Sequence, residues 1–173
     1  MPRNKTITDD EIITVARTLF LKNGINASTR DIAKAAGISE AVIYQRFGTK
    51  EDFFFAAMKL PEIELDTIFS IQAGEGKVIE NLVYMSLRIV DYFREAMPVF
   101  LTLISHPSFN MPTFLKKHNI PATQLSEKLL DYLVKESKLG RVRQNNLAVA
   151  VNVLLSHLHN IALYEAIGAP QTK

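Results

Sequence analysis

The sequence predicts an all-α fold, and three observations point to it. Apolar residues recur at intervals of three and four along most of the chain, whereas period-two alternation, which marks a half-buried strand, is scarce. Thr8 stands three residues before Glu11 at the start of one such stretch, and this is the pattern of a helix capping box. Glycine follows several stretches, where a left-handed turn ends a helix without strain.

Three helices are expected before residue 48. The first begins after the capping threonine, buries one apolar face and ends at Asn23-Gly24. The second is expected over residues 28–36 and the third over residues 39–47. Gly37 separates these two short helices, so they are joined by a tight turn.

A fourth helix is expected from Thr49, which again has an acidic residue three positions later. We expect this helix to end near Leu60, because the residue before Pro61 avoids the helical region.

The remaining chain predicts a helical bundle. A glycine break at 74–76 precedes a central helix over 77–95, whose two apolar rows predict burial on two faces. Pro98 is expected to open a separate helix through Ile104, and residues 109–120 are expected to form a loop with a short helical turn. The last two helices carry Leu125, Leu129, Tyr132 and Leu133, and Leu147, Val151, Leu154, Leu158 and Ile161.

Composition excludes several classes of protein. The chain has no cysteine, which excludes disulfides, zinc fingers and thiol catalysis. We find no signal peptide and no apolar run approaching the roughly eighteen residues of a membrane span, so we expect a cytoplasmic protein with no membrane partner. The net charge is +2, and residues 1–60 carry nine Lys and Arg against seven Asp and Glu. This bias toward nucleic acid is weak.

The two short helices around Gly37 form the pattern of a helix-turn-helix, whose second helix enters the DNA major groove. A longer pattern resembles the DNA-binding domain of the tetracycline-repressor-like (TetR) family. The matching residues are Gly24, Ser28-Thr29-Arg30-Asp31-Ile32-Ala33, Ala36-Gly37-Ile38-Ser39, Tyr44, Phe47 and Lys50. The resemblance covers about the first third of the chain.

The resemblance implies two domains and a function. Residues 1–48 would be a three-helix helix-turn-helix DNA-binding domain. Residues 49–173 would be a helical ligand-binding and dimerisation domain, linked to the first by the helix from Lys50. The expected protein is a sequence-specific transcriptional regulator, a ligand-responsive repressor that binds a palindromic operator as a homodimer.

The resemblance also assigns roles to single positions. Thr29, Tyr44 and Lys50 would contact phosphates, since a hydroxyl, a phenol and an ammonium position a protein without reading sequence. Arg30 suits guanine and Gln45 suits adenine, both by bidentate hydrogen bonds. The complete set of expected DNA-binding residues is Thr29, Arg30, Ser39, Glu40, Ala41, Val42, Tyr44, Gln45, Arg46 and Lys50.

Three positions depart from the family pattern. Ala41 replaces a frequent glycine, proline or serine, and Ala41 or Val42 would touch a thymine methyl. Arg46 replaces a frequent histidine or tyrosine and would add a phosphate contact. Glu40 would repel phosphate, so it either accepts a hydrogen bond from cytosine or points away from DNA.

Other functions have less support. An architectural DNA-binding protein would need a more basic surface. A small helical enzyme would need a nucleophile–base pattern, a phosphate loop or a metal cluster, and none is visible, so we expect no catalysis, cofactor or metal. His157 and His159 are two residues apart on a helix and point about 200° from each other, which does not suit a shared metal.

The expected effector is a small, mainly apolar molecule. Candidate pocket residues are the adaptable aromatic and methionine side chains of the second domain, although each also suits a bundle core. They are Met85, Phe93, Phe100, Met111 and Phe114.

Overall fold

The computed structural model describes residues 7–117 and 121–169, and these residues are helical with no strand. The all-α prediction is confirmed. The helices are α1 (Asp9–Asn23), α2 (Thr29–Ala36), α3 (Glu40–Phe47), α4 (Lys50–Ala57), α5 (Leu65–Ile68), α6 (Val78–Ile104), α7 (Met111–Lys117), α8 (Pro121–Lys138) and α9 (Leu147–Ala166), with a 3₁₀ turn at Gly24–Asn26.

The chain forms two compact units. Unit 1 contains the residues through Leu60 together with Pro98–Met111, and unit 2 contains Pro61–Met97 and the residues from Pro112 onward. By its contacts α4 belongs with the first three helices, so the structural division falls at residue 60 and not at 48. Helix α6 also contains residues of both units, because the boundary between them falls at Met97–Pro98.

Unit 1 is built around aromatic side chains. Phe20 of α1 meets Phe53 and Phe54 of α4 edge-on, with ring centroids 5.9 and 5.1 Å apart. Phe20, Phe53 and Phe54 are buried, and so is Ile43 of α3. Edge-to-face pairs of this kind add about 0.5–1.5 kcal/mol each beyond their burial. This core therefore fixes α3 and α4 against α1.

Helix α4 ends at Ala57, earlier than the predicted end near Leu60. The Arg17 guanidinium of α1 donates hydrogen bonds to the carbonyl oxygens of Ala57 and Lys59, at 2.8 and 2.9 Å. A side chain from another helix thus satisfies carbonyl groups that the helix end leaves free.

The prediction of a separate helix opening at Pro98 is wrong, because α6 continues from Val78 through Pro98 to Ile104. Proline removes one helical hydrogen bond, that to the residue four positions earlier, and long helices tolerate such a loss. Residues 111–117, expected to be mostly loop, form α7.

The core of unit 2 lies between α6, α8 and α9. Met85, Ile89 and Phe93 of α6 pack with Leu125 and Leu129 of α8 and with buried residues of α9. The second apolar row of α6 does not behave as predicted. Ile79, Val83 and Leu87 are 66%, 51% and 60% exposed, and only Val90 of that row is buried.

A buried polar network joins α8 to the segment before α6. Glu136 is fully buried, accepts a hydrogen bond from the Gly74 backbone N–H at 3.2 Å, and has the Arg141 Nε 3.3 Å from its Oε2. The Arg141 guanidinium also donates to the Gly76 carbonyl oxygen. Asn81, also buried, donates to the Glu75 carbonyl oxygen and to the Tyr132 hydroxyl at 2.8 and 3.0 Å, and burial raises the pKa of that hydroxyl.

Helix α9 is apolar but mostly exposed. Among the described residues it is the one helix long and apolar enough to cross a membrane, although only 22% of its apolar window is buried. This corrects the expectation that no segment approaches such a length. Leu147, Val151, Leu158 and Ala162 are nevertheless buried, which ties one side of α9 into the protein core.

Candidate DNA-binding interface

The N-termini of the first four helices are of two kinds. At α1 and α4 the predicted capping boxes are present, with Thr8 accepting from the Glu11 N–H and Thr49 from the Asp52 N–H. The hydrogen bonds from Thr49 lower the pKa of Asp52. At α2 and α3 the preceding residues are serines whose side chains make no capping hydrogen bond. No serine side chain therefore occupies the N–H groups at the starts of α2 and α3, and N–H groups at a helix start suit anions.

Helix α3 is held by its inner side. Ile43 is fully buried, and the Phe47 ring lies 4.8 Å from the Phe53 ring of α4. The remaining side faces solvent, since Ala41, Tyr44 and Gln45 are exposed. These exposed positions belong to the set expected to face DNA. Ser39 is also exposed, and Val42 is half-buried.

Three of the predicted site residues bind one another. Thr29, at the start of α2, donates a hydrogen bond to the Glu40 carboxylate of α3. The Tyr44 hydroxyl lies 3.2 Å from the Thr29 hydroxyl oxygen. Glu40 thus points toward α2 in this structure.

Arg46 is engaged within the protein. Its guanidinium donates to the Ile7 carbonyl oxygen at 2.8 Å and pairs with the Asp9 carboxylate at 3.0 Å. A solvent-exposed pair of this kind is worth about 0–1 kcal/mol, so a phosphate is able to compete for the arginine. The sequence carried no sign of this contact, because the partners are 37 and 39 positions away.

Arg30 and Lys50 differ in their exposure to solvent. Arg30 is exposed on α2. Lys50, at the start of α4, is half-buried and lines a cavity of about 300 Å³. The other residues that line this cavity are Ile25, Glu51, Phe54, His106, Pro107 and Ser108.

Residues after α6 contribute contacts that the sequence did not reveal. The His106 ring packs against the Phe54 ring with centroids 4.7 Å apart, and the Ser108 hydroxyl donates to Glu51 at 3.2 Å. His106 and Ser108 lie between the predicted helix that ends at Ile104 and the predicted loop over residues 109–120. Neither residue type nor spacing indicated that they pack on α4, within unit 1.

The five residues proposed to line a ligand pocket fall into different environments. Met85 and Phe93 are buried in the core of unit 2, and Phe114 is half-buried in the same unit. Phe100 and Met111 belong to unit 1. A cavity of about 320 Å³ within unit 2 is lined by other residues, which are Glu62, Ile63, Glu64, Thr67, Ile68, Arg88, Asp91, Tyr92 and Glu95.

The two histidines of α9 differ in their surroundings. His157 is exposed, whereas the His159 ring lies 5.6 Å from the Phe93 ring in an edge-on contact. No cluster of three or more potential metal ligands occurs within residues 7–117 and 121–169.

The geometry defines a helix-turn-helix with one buried and one solvent-facing side on its second helix. Residues 12–57 match the sequence model of the family described as "Bacterial regulatory proteins, tetR family". The helix-turn-helix segment therefore has the sequence pattern of a tetR-family regulator, and the match ends at residue 57.

The chain is similar to known transcriptional regulators in sequence, and it is similar to solved structures in fold. The chain is 24% identical to the Bacillus subtilis "Uncharacterized HTH-type transcriptional regulator YvkB", over 99% of this chain and 90% of that protein. It is 41% identical to the Staphylococcus aureus "HTH-type transcriptional regulator QacR" over 31% of this chain and 29% of that protein. The fold matches the "fatty acid degradation regulator FadR from Bacillus halodurans" with a TM-score of 0.62 and 19% identity, over 96% of this chain and 87% of that chain.

Proposed function

We propose that the chain is a ligand-responsive repressor that binds a palindromic operator as a homodimer in the cytoplasm. The observation that carries the proposal is the exposed apolar side of α9. A single recognition helix contacts too few base pairs to find one site in a genome, so two copies must act together. A twofold dimer requires a palindromic site, with half-sites spaced by the dimer.

The surface of α9 supports a contact with a second copy. Val149, Val153 and Tyr164 are 59%, 64% and 45% exposed. At 100° per residue these three positions lie within about 60° of one another, on the side opposite the buried residues of α9. One side of the helix is thus fixed in the protein core, and the other presents apolar groups to a partner. Exposed apolar patches of this kind mark protein contact sites.

The preceding helix contributes less to this surface. Residues exposed on α8 include Glu127, Lys128, Asp131 and Lys135, and the last two form a salt bridge at 2.8 Å. Charged residues are depleted at the centre of dimer interfaces. The exposed side chains therefore favour α9 over α8 as the centre of the proposed dimer contact.

Replacing Val153 with Lys is expected to dissociate the dimer. The substitution places an unpaired charge in the proposed apolar centre, and we expect the dimer dissociation constant to rise by at least about a hundredfold. Analytical ultracentrifugation measures that constant, and a gel shift on duplexes selected from random DNA measures the effect on binding. Thr123→Lys, at an exposed position of α8, is the matched control. Equal dissociation constants for Val153→Lys and Thr123→Lys would place the dimer contact elsewhere.

The cavity within unit 2 suggests the chemistry of the effector. Glu62, Glu64, Asp91 and Glu95 place four carboxylates at this cavity against the single guanidinium of Arg88. Asp91 also pairs with Arg94 at 3.0 Å, which leaves an acidic excess. Burial raises the pKa of Tyr92 to about 12, so its ring and neutral hydroxyl line the cavity at physiological pH. The proposed effector is therefore an apolar molecule that carries a positive charge, since aromatic faces and carboxylates both favour cations.

An effector in unit 2 is proposed to act through α6. This helix runs without interruption from residues of unit 2 into residues of unit 1. In this proposal the effector and DNA prefer different positions of α6. The effector then weakens DNA binding by the same factor by which DNA weakens effector binding.

A matched pair of lipophilic ions tests this proposal. Tetraphenylphosphonium is expected to raise the unfolding temperature and to weaken binding to selected duplexes by about five- to a hundredfold, whereas tetraphenylborate does neither. Glu95→Gln removes one lining carboxylate and is expected to reduce the response to the cation. A thermal shift followed by titration of the protein–DNA complex measures both effects. Equal responses to cation and anion would contradict the acidic cavity as the effector site.

A further inference from the structure

The hydroxyl groups of Thr29 and Tyr44 form a hydrogen-bond chain that ends on Glu40. Threonine has one hydroxyl proton, and Thr29 donates it to the Glu40 carboxylate. The Tyr44 hydroxyl lies 3.2 Å from the same threonine oxygen, so it is Tyr44 that donates in this second bond. Both hydroxyl protons are therefore used in a chain that terminates on an anionic oxygen.

This carboxylate lies at the start of α2, beside the hydroxyl that is proposed to contact a DNA phosphate. Thr29 is the first residue of α2, and the preceding Ser28 does not cap the helix with its side chain. A helix start with a hydroxyl and uncapped N–H groups suits a phosphate oxygen. Thr29 is only 5% exposed, so an external phosphate reaches its hydroxyl only after the carboxylate beside it has moved. Tyr44 is 43% exposed and borders the same place from α3.

We propose that Glu40 is an internal substitute for a DNA phosphate. In the free protein the Glu40 carboxylate occupies the hydroxyl groups that would otherwise donate to a DNA phosphate. The carboxylate must move away before that phosphate binds. This proposal rests on the proposed phosphate contacts of Thr29 and Tyr44. A carboxylate bound to Thr29 is not available to cytosine, which separates this role from direct reading of a base.

The proposal has a definite consequence for affinity. Displacing Glu40 costs the same free energy on every DNA sequence, because the phosphate backbone is the same in all of them. Glu40 thus lowers the affinity for all DNA by one common factor and leaves the preference for one sequence over another unchanged.

Removal of the carboxylate tests the proposal. Glu40→Ala is expected to tighten binding to a random-sequence duplex of about 30 base pairs and to a selected duplex alike, by about tenfold. Fluorescence anisotropy at one fixed salt concentration measures both dissociation constants. Asp31→Asn removes the same charge from an exposed position of α2 and controls for net charge, with an expected change below about threefold.

A double substitution distinguishes competition between Glu40 and phosphate from a general effect of net charge. If Glu40 competes with phosphate for the hydroxyl chain, Tyr44→Phe weakens DNA binding more in the Glu40→Ala background than in the unsubstituted protein. Thermal unfolding of each variant checks the fold. If Glu40→Ala lowers the unfolding temperature, Glu40→Gln replaces it in both comparisons because it keeps the shape and removes the charge.

The outcomes are distinguishable. Three results would each overturn the proposal that Glu40 substitutes for a phosphate. The first is a DNA affinity of Glu40→Ala no higher than that of Asp31→Asn, and the second is an equal loss of affinity on Tyr44→Phe in the two backgrounds. The third is an effect of Glu40→Ala that is confined to one base pair of the duplex. If Tyr44→Phe and Lys50→Ala both leave DNA binding unchanged, the proposed phosphate contacts are wrong, and the phosphate substitute is overturned with them.

Discussion

Replacing Arg141 with Ala is expected to lower the free energy of unfolding by about 3 kcal/mol or more. Glu136 is fully buried, and the Arg141 guanidinium is the cation paired with it, at 3.3 Å. Removing the arginine leaves a buried carboxylate without its countercharge and also removes the hydrogen bond to the Gly76 carbonyl oxygen. Urea unfolding followed by circular dichroism measures the loss.

Arg143→Ala provides the matched control, two positions further along and exposed. We expect it to change the free energy of unfolding by less than about 0.5 kcal/mol, because surface substitutions have small effects. If the two variants unfold at the same urea concentration, the buried network does not stabilise the fold.

Replacing Arg30 with Ala is expected to weaken binding to a selected duplex by about ten- to a hundredfold, or roughly 1–3 kcal/mol. Arg30 is exposed on α2 and is proposed to read guanine, so the loss should be concentrated at particular base pairs. Gln45→Ala is expected to relax the preference at another base pair in the same way. Competition among single-base variants of the duplex measures these preferences.

Lys50→Ala is the contrasting variant. A phosphate contact carries no sequence information, so this change should weaken all duplexes alike and lower the salt dependence of binding by about one unit. A change in base preference for Lys50→Ala, together with none for Arg30→Ala and Gln45→Ala, would reverse the assigned roles.

Local sequence rules predicted the first four helix starts because their determinants are close in the chain. The capping boxes at Thr8 and Thr49 each involve residues three positions apart, and both are present. Gly37 has the left-handed conformation expected at the turn between α2 and α3. The solvent-exposed side of α3 was predictable because burial of Ile43 fixes the orientation of a short helix.

Features that depend on distant residues were not predictable in this way. The carbonyl oxygen at the end of α4 accepts a hydrogen bond from Arg17, which lies 40 positions before Ala57. The bond between Thr29 and Glu40 joins two helices, and neither residue alone indicated it. The exposed row Ile79, Val83 and Leu87 shows the same limit, because periodicity identifies an apolar face but not whether a neighbour covers it.

The central claim is that two copies of the chain read one symmetric site, and selection from a random DNA pool tests it most directly. The purified protein is used to enrich duplexes, and the mass of the resulting complex is measured by light scattering. We predict an inverted repeat whose two halves are related by twofold symmetry, bound by two chains or a multiple of two. Recovery of an asymmetric sequence bound by a single chain would contradict the proposal.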